Sequence, residues 1–309
     1  MNVYVSKLFG IIYPIIIYPI TLLSSYFDSS QLFGYTTIIY LLSAFFYIGL
    51  LVFRNKKVGL IGLILAGIGV LIHTGALGLR WHESYQVGIG HAPLTNMYES
   101  LLFFAWCTTL FYILLELKFK AAVLGALVMP MAVTTMAYAS FSTDINRQIT
   151  PLVPALQSNW LIAHVITCFI GYGAFAVAAG IGVIYLLKHL AVNRKFSQNN
   201  LLSTLPELPV LDDLTHKTII FGFMWLTAGI ITGAVWANEA WGTYWSWDPK
   251  ETWSIITWFV YALALHARFT RGWSGPRIAW LAILGFISVF FTYFGVNFLL
   301  AGLHSYGAS

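Results

Sequence analysis

Eight histidines and one aromatic stretch are the groups in this chain best equipped for chemistry. Residues 241–253 read WGTYWSWDPKETW: four tryptophans, a tyrosine, two carboxylates and a lysine in 13 residues of a sequence only 9% charged. Imidazole binds metals and carries protons. Indole and phenol rings offer a flat surface to a planar ligand, and they also anchor helices at a membrane interface. Which of these uses applies depends on which residues share a layer, and that is set by the elements carrying them.

Those elements are membrane helices. The 309 residues are 59% hydrophobic and 17% aromatic, and apolar runs of about 20 residues, the length that crosses a bilayer, recur from end to end. Such runs are too long and continuous for the alternating strands of a barrel, so backbone satisfaction in lipid requires helices. The expected fold is all-α, a polytopic transmembrane bundle of eight or nine spans with a tryptophan-rich outer loop. The spans fall at 8–27, 32–53, 58–79, 97–116, 119–139, 159–187, 218–238, 252–267 and 279–300. The first, interrupted by Pro14 and Pro19, is either an anchor or an extra span. This divides the chain into an N-terminal anchor (1–31), a first bundle (32–187), a polar inner linker (188–217) and a last membrane segment (218–309). Residues 140–158 form the long outer loop, with a short surface helix.

Thirteen of the sixteen lysines and arginines fall on one side of these spans. The positive-inside rule places that side in the cytoplasm or its organellar equivalent. Only Arg80, Arg147 and Lys250 fall on the other side, with the tryptophan-rich loop. The basic charge follows from membrane topology and implies no nucleic-acid partner. Cys107 and Cys168 lie mid-span without a C-x-x-C pair, which argues for packing residues rather than thiol exchange. Asp248-Pro249-Lys250-Glu251 carries a capping-box pattern with proline at the first helical position. A helix therefore starts there, and WGTYWSW leads into its N-terminus.

The histidines sort by depth. His189 and His216 read as solvated linker residues, His82 and His91 as loop residues, and His73 as a candidate for a helix-to-helix hydrogen bond. His164 opens a span from its outer end and His304 follows the last span, so both share the layer of residues 241–253. His266 lies 14 residues into its span, roughly 21 Å along the axis, and belongs to the inner part of the bilayer. Two imidazoles in one layer could hold both axial positions of a haem iron, between walls supplied by Trp241, Tyr244, Trp245, Trp247 and Trp253. The helix N-terminus at Asp248–Pro249 and Lys250 would face the propionates. An anchoring belt is the competing reading of the same aromatic residues.

WANEAWGTYWSWDPKETW followed by HAR resembles the tryptophan-rich "WWD" signature of haem-handling proteins. The chain from about residue 32 onward resembles the CcsA (ResC) family of system II cytochrome c biogenesis. HAPLTNMYES, NWLIAHV, LDDLTHK and GVNFLLAGLHSYG carry the likeness in the same order. The resemblance implies that haem b moves from an inner station at His266 to an outer one. There His164 and His304 are axial ligands and the loop from Trp241 to Trp253, Asp248 included, holds the ring for thioether attachment to the C-x-x-C-H segment of apocytochrome c. It also implies a ResB-type membrane subunit as partner, a place in a cytochrome c haem lyase complex, indirect dependence on thiol-reducing redox proteins, and residence in a bacterial plasma or thylakoid membrane. Two alternatives stand beside it. One is a system I-type haem exporter or chaperone loader. The other is a haem b electron-transfer subunit, which would have to use His73 and His266 although they differ in depth by roughly 13 Å.

Overall fold

The computed structural model describes residues 18–193, 205–300 and Gly302. Among the described residues all regular structure is helical. A short helix α1 (Tyr18–Ser24) precedes α2 (Ser29–Phe53), α3 (Lys56–Gln86) and α4 (Met97–Phe119). A turn of 3-10 helix (Ala122–Leu124) leads into α5 (Gly125–Phe141). Then come α6 (Asn159–Asn193), α7 (Leu208–Trp241), α8 (Pro249–Arg271) and α9 (Pro276–Phe290), which continues through a π-helical turn (Phe291–Gly295) into α10 (Val296–Leu299). Among the described residues seven helical segments are long and apolar enough to cross a membrane, the last running from Pro276 to Leu299. Helix α8 is of spanning length but more polar, since it carries Lys250, Glu251, His266, Arg268 and Arg271.

Short turns join antiparallel neighbours, and their chemistry is local. Asp28 caps α2 in a box with Gln31, and Asn55 and Asn96 cap α3 and α4. Arg54 and Lys120 close α2 and α4 in the left-handed conformation. Pro130 sits inside α5, where neighbouring helices cover the interrupted ladder.

Helix α6 is the axis of the bundle. Its small-residue run from Gly171 to Gly182 lets other helices approach closely. A Cβ at Gly182 would meet the Ala279 carbonyl of α9 at 2.8 Å, and one at Gly171 would meet the Gly222 carbonyl of α7 at 3.1 Å. Phe175 of α6 stacks on Tyr261 of α8 at 3.6 Å.

Some predicted boundaries shift. The linker read as 188–217 is narrower, because α6 runs to Asn193 and α7 starts at Leu208. The helix expected within 140–158 is one 3-10 turn, Pro154–Leu156. The first half of the span read as 8–27 lies outside the described residues, and Tyr18–Ser24 of its second half form α1.

Candidate functional site

The N-terminus of α6, the C-terminus of α7, the N-terminus of α8 and the π-helical turn meet at one end of the bundle. A cavity of roughly 100 Å³ lies between them, walled by His164, Cys168, Trp236, Tyr244, Trp245, Lys250 and Tyr293 among others.

His164 is held in one orientation. Its Nδ1 donates to the Gly229 carbonyl at 2.8 Å, and because a carbonyl only accepts, the proton of the neutral ring is on Nδ1. Nε2 therefore carries the lone pair, the arrangement found when a histidine ligates a metal and its other nitrogen is hydrogen-bonded behind it. The ring lies nearly parallel to the indole of Trp236, centroids 5.8 Å apart and planes at 21°. Close approach depends on two glycines of α7. A Cβ at Gly233 would stand 2.7 Å from His164 Cε1, and one at Gly229 would stand 2.5 Å from Cys168 Sγ. Gly229-x-x-x-Gly233 is thus the small-residue ridge on which α6 seats its imidazole.

The predicted platform divides in two. Tyr244 and Trp245 line the cavity with His164, whereas Trp241, Trp247 and Trp253 do not. Trp241 packs behind Trp236, ring centroids 4.8 Å apart. Trp253 packs on Phe291 of the π-helical turn at 4.0 Å. Trp247 is 72% exposed and stands edge-on to Trp245, on a backbone with φ of 60° that costs a non-glycine residue about 1–2 kcal/mol.

Asp248 is not a wall of the cavity either. It is buried and caps α8, accepting from the Lys250 amide at 3.0 Å, while Glu251 accepts from the amides of Ser246 and Asp248. The predicted capping box is present. It pins the loop to the helix.

Three contributors were not among the predicted site residues. Trp236, 2% exposed, stacks on His164 and donates its indole N–H to the Ala155 carbonyl at 2.8 Å. Tyr293 shares a hydroxyl–hydroxyl bond with Ser100 of α4, and it sits in a π-helical turn, a distortion that recurs at functional sites. Cys168, one turn below His164, is part of the cavity wall, its Sγ 3.7 Å from His164 Nδ1. The sequence signal for Trp236 is its place at the head of the WANEAW run, and for the imidazole seat it is the GIITG spacing of 229–233. Both cysteines are buried and free of any disulfide.

Lys250 donates to Asn297 Oδ1 at 3.0 Å. His304 lies outside the described residues. The described chain reaches Gly302, where a Cβ would come 3.0 Å from Pro249 Cδ.

His266 is far from this cavity. It projects from the exposed face of α8, about 26 Å along the axis from Pro249. Next to it a polar clasp closes the other end of the bundle: Asp212 of α7 accepts from Arg268 Nη1 at 2.6 Å and from the Gly275 amide at 2.7 Å. His73 is fully buried between α2 and α3, its Nδ1 3.3 Å from the Tyr40 hydroxyl. Among the described residues no three His, Cys, Asp or Glu side chains gather as a metal-ion site.

The comparisons agree on one family. The family model described as cytochrome C assembly protein matches residues 94–304. A cytochrome c biogenesis protein CcsA from Guillardia theta is 44% identical over 277 residues, 85% of this chain and 90% of that one. The CcsA proteins of Chlamydomonas reinhardtii and Synechococcus sp. (strain WH7803) are 44% and 41% identical, over 82% and 79% of this chain and 70% and 84% of theirs. Among solved structures the fold matches a cytochrome c heme lyase CcmF with TM-score 0.62 at 19% identity, over 86% of this chain and 47% of that longer one. The molecule is a polytopic helical membrane protein. It belongs to the cytochrome c assembly family, and its function lies in c-type cytochrome biogenesis.

Proposed function

We propose that this chain receives haem b at an inner station and holds it at the tryptophan-rich end of the bundle, presenting its vinyl groups to the thiols of an apocytochrome c C-x-x-C-H segment. The observation that carries the reading is the Nδ1–Gly229 hydrogen bond of His164, which leaves Nε2 as the basic nitrogen at a cavity walled by Trp236, Tyr244 and Trp245. His304 is the second axial ligand in this reading. Its support is that the described chain comes to Gly302 beside Pro249, at the same end as His164.

Each residue has a task that needs no redox chemistry from the chain. Addition of S–H across a vinyl C=C conserves atoms and electrons, so the protein contributes position and electrostatics while the porphyrin supplies the reactive bond. Lys250, at the cavity and at the start of α8, offers a cation to a propionate. The thioethers join haem to the client's own C-x-x-C-H segment, so both attacking thiols come from the client and neither Cys107 nor Cys168 is called on. The cavity is far smaller than the 300–1,000 Å³ typical of ligand sites, so loading requires the Tyr244–Trp247 loop to lift. The left-handed Gly242 at its start, φ 77°, is where it can turn.

His266, exposed on α8, is the ligand of the inner station. Its counterpart comes from a ResB-type membrane subunit packed on that face. The tryptophan-rich end lies outside a bacterial plasma membrane or in the thylakoid lumen, as the lysine and arginine asymmetry of the loops indicates.

The test is the haem absorption spectrum of His164→Ala and His304→Ala, purified with the partner subunit. The expected result is loss or spectral shift of the outer haem and failed cytochrome maturation in both. Wild-type spectra with undiminished maturation would refute the assignment.

A further inference from the structure

Beside the His164 cavity lies a second and larger one of about 660 Å³, bordered by residues 88–95, by 151–159 and by Glu239 near the end of α7. Leu94 and Leu161 line both cavities, so two leucines form the partition between them. We infer that this groove seats the thiol-bearing peptide of the client protein in extended form. The inference rests on the proposed outer haem site and names the surface that brings its co-substrate there.

The groove is built to keep its shape. His91 spans its two loops, one ring nitrogen 2.9 Å from the Ala92 carbonyl and the other 3.3 Å from the Thr150 carbonyl. Beneath it the buried ion pair of Arg80 with Glu99 holds both loops: Arg80 Nη2 donates to the Arg147 carbonyl and Glu99 accepts from the Thr95 amide and hydroxyl. A rigid seat lowers the entropy lost when a flexible segment docks.

It is also mechanically tied to the haem ligand. Ala155, in the loop that forms one wall, accepts from the indole N–H of Trp236, whose face lies along the His164 imidazole. A segment registered against this wall is therefore registered against the ring that fixes the iron. Such positioning is the main thing a protein can add to a thiol addition.

The lining selects among occupants. A second haem would need an imidazole, but both nitrogens of His91 face carbonyls. A lipid chain would need an apolar wall, whereas Gln157, Ser158, Asn159 and Glu239 stand here beside loop backbone. Backbone and mixed side chains suit a peptide. Five extended residues measure about 17 Å, and the volume lies within the range of a specific site. Trp81 and Tyr85, both exposed, form an aromatic lip at the edge of the groove.

The test uses the full chain with its partner subunit in membranes. The probe is a short synthetic peptide holding Cys-x-x-Cys-His beside a benzophenone side chain. Photolabelling mapped by mass spectrometry is expected within 87–95 or 150–159. Labels confined to the Tyr244–Trp247 loop or to α8 would overturn the assignment. Ile89→Trp and Asn159→Trp, which fill the groove from opposite sides, are expected to cut labelling at least about tenfold with the haem spectrum unchanged. Undiminished labelling in both variants, or a loss seen only where haem is also lost, would overturn it. Labelling at the groove in a protein with no outer haem would sink the haem-presentation reading and leave this one standing.

Discussion

The indole of Trp236 lies against the imidazole of His164 with ring centroids 5.8 Å apart, and the same indole hands its N–H to Ala155 in the loop before α6. One side chain of α7 thus fixes the candidate ligand and the loop outside it. This relationship separates two effects experimentally. Trp236→Phe keeps a ring beside His164 but deprives the Ala155 carbonyl of its donor, a change worth about 0.5–1.5 kcal/mol at this half-buried bond. The expected outcome is a near-normal haem spectrum with reduced cytochrome maturation. Trp236→Leu removes the ring face as well, and there the haem band itself should shift or weaken.

Gly233→Ala tests the seat of the imidazole. The added methyl would stand 2.7 Å from His164 Cε1, so either the ring or the helix must move. Overpacking of this kind costs about 1–3 kcal/mol. The chain should still insert and purify, while the outer haem is lost or loses its two-histidine spectrum. Gly67→Ala in α3, where a Cβ meets nothing within 4 Å, serves as the control and should behave as wild type.

The two neighbouring indoles of the loop are expected to differ. Trp245 lines the cavity and Trp247 projects away from it, 72% exposed. Trp245→Leu should impair maturation and perturb the haem band. Trp247→Leu should change either one far less, and Trp247→Gly should raise thermal stability by relieving a left-handed backbone, an effect of about 1 kcal/mol. Equal loss in Trp245→Leu and Trp247→Leu would favour an interfacial belt over a ring-holding wall.

Much of the fold was legible in the sequence because lipid imposes one rule, a run of about 20 apolar residues per crossing. The capping box at Asp248 and Glu251 was legible too, since it depends on neighbours three residues apart. The direction of each aromatic ring was not. It depends on the path of a loop in which Trp247 takes a left-handed turn and Trp253 has already entered a helix that rotates it toward Phe291. Trp236 becomes part of the site only through the packing of α7 on α6, which lays its ring along His164. Helix ends were misjudged at 188–217 for a related reason. Polar residues such as Lys188, Asp212 and Lys217 lie on helices that continue past the apolar core, where composition no longer marks the boundary.

The polar clasp at the other end gives a stability prediction. Asp212 holds Arg268 of α8 and the Gly275 amide of the following turn, with both charged side chains mostly buried. Asp212→Ala leaves a guanidinium and an amide without their acceptor and should cost about 1–3 kcal/mol, read as a lower melting temperature in detergent. Asp212→Asn keeps an oxygen for Gly275 and should lose less.

His266 lies two residues before Arg268, so the clasp also sets how α8 presents that imidazole. Around it Ile256, Phe259, Leu263 and Phe269 are all exposed, and with His266 they form an uncovered stripe along the helix. On the proposed reading, His266 would hold a haem there from this chain's side and the partner subunit would supply the second ligand. His266→Gly should therefore lower haem content in the assembled complex, and added imidazole, entering the space left by the ring, should restore part of it. Rescue should leave the outer haem band untouched, because His164 stands at the opposite end of the bundle. The chain purified without its partner should show no two-histidine spectrum attributable to His266. If that spectrum persisted in the isolated chain and vanished in His266→Gly, the second ligand would have to come from within these 309 residues, and the exposed stripe would need a different explanation.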